Sequence, residues 1–118
     1  MSDAQEYYER EFNLLREKLI RILGMPTVDR LIERSVVEIA GAHPSVAGIK
    51  IEDGELEFDG VRTGLLDATD AKVRDTFTAL TGVLLLLVAR LLGREIALRL
   101  TEDLTIGELL ESRLIGIQ

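Results

Sequence analysis

The chain has 118 residues, a net charge of −7 and no cysteine. At that length a single domain over 1–118 is expected, and disulfides, thiolate nucleophiles and cysteine metal sites are excluded. The acidic balance argues against nucleic acid and against anionic membrane surfaces, which both call for clustered Lys and Arg.

The first predicted helix lies near 2–23. Ser2 and Gln5 stand at capping-box spacing. Tyr8, Phe12, Leu15, Leu19 and Ile22 follow at alternating steps of four and three, a heptad-like seam. It is too short for an autonomous coiled coil. It is expected to pack on the central helix or on a second copy of itself. Glu6, Glu9, Arg10, Glu11, Arg16, Glu17, Lys18 and Arg21 read as a solvated, mixed-charge face.

Gly24 ends this helix and Met25-Pro26 turns the corner, since proline suits the first helical positions. A second helix is predicted near 26–42, with Val28, Leu31, Ile32, Val36 and Ile39 inward. His43-Pro44 stops it, because the residue before a proline is pushed out of the helical region.

A β-hairpin is predicted near 48–58. Ile49 to Glu52 and Glu55 to Phe58 alternate about Asp53-Gly54, and a type I′ turn needs positive φ at both central residues. The two-residue loop fixes the register: Ile51 faces Leu56, Ile49 faces Phe58, and Lys50 faces Glu57. Residues 60–66 read as a linker.

The dominant stretch follows, predicted as one helix over 70–100. From Phe77 to Leu92 it reads FTALTGVLLLLVARLL. Asp67 or Thr69 can cap its start, and Arg90, Arg94 and Arg99 suit the dipole at its other end. Lys72, Thr76, Arg90 and Arg94 fall on one stripe, continued through the centre by Val83 and Leu87. A helix apolar all round must be buried all round, and a small chain covers such a helix only in part. A transmembrane span is not expected, because Arg74 and Asp75 precede the run and Arg90, Arg94 and Glu95 interrupt it. A short helix near 106–114 closes the chain.

The expected fold is therefore α+β, mainly α: a helical bundle with one β-hairpin. In architecture alone, two helices, a hairpin and a long helix are similar to regulatory and dimerisation modules of microbial signalling proteins. The central helix is expected to mediate a homodimer or higher oligomer through Thr78, Gly82, Val83, Leu84, Leu87, Ala89 and Gly93. Several of these are small enough to let another backbone approach. A second interface is expected along Tyr8, Phe12, Leu15, Leu19 and Ile22.

Chemistry finds little purchase. His43 is the only histidine, and it sits at a helix end with no nucleophile beside it. Glu55, Glu57 and Asp59 share a strand face without the spacing of a calcium loop. Gly60 to Gly64 lacks the Gly-Lys-Ser/Thr ending of a phosphate loop. No cofactor, metal or catalytic residue is expected. With a polar, acidic start and no apolar leader, a cytoplasmic, non-enzymatic interaction module of regulatory or scaffolding role is the first expectation. A binding protein with a hydrophobic ligand against the central helix is the alternative.

Overall fold

A computed structural model describes residues 2–102. The helix expected near 106–114 lies outside the described residues. Helix α1 (Asp3–Leu23) starts where the Ser2 hydroxyl accepts the Gln5 N–H at 3.1 Å. It ends at Gly24, and α2 (Met25–Ile39) begins at the next residue. A 3₁₀ segment (Pro44–Gly48) leads into strands β1 (Lys50–Glu52) and β2 (Glu55–Glu57). Helix α3 (Asp59–Gly64), the long α4 (Asp70–Leu92) and α5 (Arg94–Arg99) complete the described chain. The fold is α+β and mainly α, a helical assembly with one antiparallel hairpin.

The hairpin keeps the expected register, with Lys50 opposite Glu57 and Ile51 opposite Leu56. Asp53 and Gly54 have φ of 51° and 79°, as a type I′ turn requires. The strands are shorter than their alternation implied, and Phe58 leaves the ladder to become the residue before α3.

Two expectations about helices change. The stretch 70–100 is not one helix: Gly93, at φ 95° and ψ 152°, separates α4 from α5. The Gly93 N–H closes α4 on the Ala89 carbonyl at 2.8 Å, and the Gly93 carbonyl accepts the Ala97 N–H of the new helix. Gly24 repeats this joint between α1 and α2, with φ 82° and ψ 154°, its N–H on Ile20 and its carbonyl accepting from Val28. Backbone in this region is essentially restricted to glycine. The segment 60–66 is not a free linker either. Most of it folds into α3, held against the 3₁₀ segment. A Cβ on Gly48 would lie 2.6 Å from the Gly60 Cα, and one on Gly64 would lie 2.8 Å from the Ser45 Cβ. The absence of side chains lets these two short elements touch backbone to backbone.

One apolar cluster joins the described helices. Phe12 of α1, Phe58 after the hairpin and Phe77 of α4 meet with ring centroids 6.4 and 6.0 Å apart, and Tyr8 stacks on Phe77 at 6.1 Å. Such aromatic pairs add about 0.5–1.5 kcal/mol each beyond their buried area. The seam of α1 is spent here: Phe12, Leu15 and Leu19 are buried within their own chain, while Ile22 is half exposed.

Three charges read as solvated are buried: Glu9, Glu11 and Arg16. Arg16 reaches Asp29 of α2 through two N–H···O bonds of 3.0 and 3.2 Å, and donates to the Gly54 carbonyl of the hairpin turn at 3.0 Å. Glu9 accepts two bonds from Arg62 of α3, at 2.6 and 2.9 Å, and one from the Gln5 amide at 2.7 Å. The planar guanidinium fork suits such two-point carboxylate contacts. The hydrogen bonding to Glu9 raises the Arg62 guanidinium above the ordinary arginine value; burial opposes this, and the charges of Glu9, Asp59 and Glu57 add to it.

Candidate functional site

The side-chain chemistry described above is committed to holding the fold. Among the described residues no group of three or more His, Cys, Asp or Glu is placed to hold a metal ion. Asp59 pairs with Arg62 at 3.3 Å, and Glu52 lies opposite Glu55 in the ladder. His43 has a half-buried ring whose Nδ1 lacks a hydrogen-bond partner among the described residues.

Three grooves among the described residues stand out. The first, of about 360 Å³, runs between α2 and β1 and is lined by the apolar Ile32, Val36, Ile49 and Ile51 and the charged Glu33, Lys50 and Glu52. A second, of about 340 Å³, lies beside the start of α1 against Arg62 and Leu66. The third, of about 250 Å³, is lined by Gly48, Gly60 and the charged residues Lys50, Glu52, Glu57 and Asp59. None of the three takes a wall from α4.

That leaves the surface of α4 as the feature to explain. The helix is long and apolar enough to cross a membrane, and half of its most apolar stretch is buried inside the chain. Phe77, Leu80, Leu84 and Val88 point into the core, and Leu84 is 0% exposed. Thr76, expected on the polar stripe, is 1% exposed, and its hydroxyl donates to the Lys72 carbonyl at 2.9 Å. Leu87, expected to continue that stripe, is 6% exposed.

A partly open side lies a little further round the helix. Ala79, Val83 and Leu86 are partly exposed, with exposed Lys72, Asp75 and Arg90 beyond them. At 100° per residue these six fall within about 80° of arc. Of the residues expected at an interface, Val83 lies on this stripe. Thr78 and Gly82 are buried, Ala89 is partly buried, and Gly93 is exposed at the joint between helices. The buried Thr78 hydroxyl has no hydrogen-bond partner among the described residues. Sequence reasoning missed Ala79 and Leu86. In a helix apolar all round, periodicity carries no signal for which side faces water; the packing of α1 and α2 on α4 decides it.

No family model matches the sequence, and neither the curated proteins nor the solved structures contain a significant match to it.

Proposed function

We propose that the protein is a non-enzymatic, homo-oligomerising interaction module, cytoplasmic and regulatory or scaffolding in role. The observation that carries this reading is the Ala79–Val83–Leu86 stripe, an apolar strip left partly open along the most apolar element of the chain. Exposed apolar strips edged by polar residues mark association surfaces. A hydrophobic-ligand reading has a concavity in the groove between α2 and β1, away from the central helix.

The test is solution mass by light scattering across a dilution series, without detergent. A dimer or larger species that dissociates only at high dilution is expected. A folded monomer at every concentration overturns the reading.

A further inference from the structure

We propose that α4 pairs antiparallel with α4 of a second copy, about a two-fold axis level with Gly82 and Val83. This rests on the self-association reading and gives it a surface and a symmetry.

The argument begins with spacing. Residues 75 and 90 share one midpoint with residues 79 and 86, between 82 and 83. Around a two-fold axis through that point, each residue meets the one equally far away on the other side. Asp75 then stands level with the second copy's Arg90, and Arg90 with its Asp75. Small Ala79 stands level with large Leu86, so a recess meets a projection. The two Val83 side chains straddle the axis. Lys72, further out on the same stripe, falls level with Gly93, where there is no side chain to oppose it.

The charges select the orientation. Asp75 and Arg90 each lie about 11 Å from the axis at 1.5 Å rise per residue. A shallow crossing of about 20°, usual for helices packed side by side, keeps the paired charges within reach of each other. Parallel pairing in register would set Asp75 against Asp75 and Arg90 against Arg90. Among the described residues both groups are available: Asp75 meets its exposed sequence neighbour Arg74, at 3.3 Å, and Arg90 makes no ion pair. Asp75 retains 59% of its side-chain exposure.

The experiment uses Asp75→Arg and Arg90→Asp, separately and mixed, with sedimentation to read association and circular dichroism to read helicity. Each variant alone is expected to self-associate at least about tenfold more weakly, since like charges now meet at both ends. An equimolar mixture of the two is expected to recover association, because every Arg again meets an Asp. A variant that merely misfolds is not recovered by mixing. The chain has no cysteine, so Val83→Cys adds a second readout: mild oxidation is expected to give a disulfide-linked dimer. A wild-type dimer whose charge variants associate unchanged overturns the antiparallel pairing and leaves self-association standing. A wild-type monomer overturns both, and points to a different protein, a hydrophobic ligand or a bilayer on the stripe.

Discussion

At the scale of single residues, glycine is required here for two different reasons. Gly24 and Gly93 have open space where a Cβ would go, yet their φ of 82° and 95° excludes other residues. Gly48 and Gly60 have no such φ, yet each would drive a Cβ into the other's backbone. Gly24→Ala is expected to cost about 1–3 kcal/mol through dihedral strain. Gly60→Ala is expected to cost about as much through overpacking. Urea unfolding measures both, and loss of neither would remove the distinction. Arg16 is a third residue-scale device. One buried guanidinium ties α1, the first turns of α2 and the hairpin turn together.

Among the elements, α4 carries the fold. Its side chains meet α1, α2 and α5, and Leu84 lies in the middle of the shared core. Leu87→Glu would bury a charge with no partner, so loss of the folded state is expected rather than a folded monomer. Leu91→Glu, at a position 57% exposed, is expected to stay within about 0.5 kcal/mol of wild type. Thermal melting of the two variants distinguishes them. The elements were legible where a local rule decides them. Asp53-Gly54 specified a turn and with it the register, and Ser2 and Thr69 sit at the caps their chemistry suggests. They were illegible where a tertiary contact decides. Gly93 reads as one small residue in a helical run, and only its dihedrals make it a joint. Asp59 to Gly64 looks like linker because two glycines weaken a helix, and its stability comes from the 3₁₀ segment beside it. Glu9 and Arg16 read as solvent-facing because their partners, Arg62 and Asp29, are distant in sequence.

For the whole molecule, the Cα radius of gyration is 13.3 Å, close to the roughly 13 Å of a compact domain of this size. The chain buries more of its central helix than its length suggested, yet the Ala79–Val83–Leu86 flank of α4 remains partly open. Of the interface expected from sequence, Val83 alone combines partial exposure with a place on that flank. Burial of Leu84 and Leu87 follows from how three helices converge, which composition and periodicity do not encode. The large apolar residues left outside include Val37 of α2, Leu66 after α3 and Leu91 near the end of α4; single exposed apolar residues are ordinary on a protein surface.

The anchoring of the hairpin turn bears on where the chain can be cut. Loop tips are the usual sites of proteolytic nicking. The tip at Asp53-Gly54 is held by the Arg16 bond to the Gly54 carbonyl and lies close to the Met25 side chain. The turn at 40–43 has no such cover, with Gly41 and Ala42 exposed and open space around Gly41. Limited digestion with a protease of broad specificity is expected to open 40–43 well before the hairpin. The two pieces would stay associated through the core, so the first cut would show in a denaturing gel and leave the native mass unchanged.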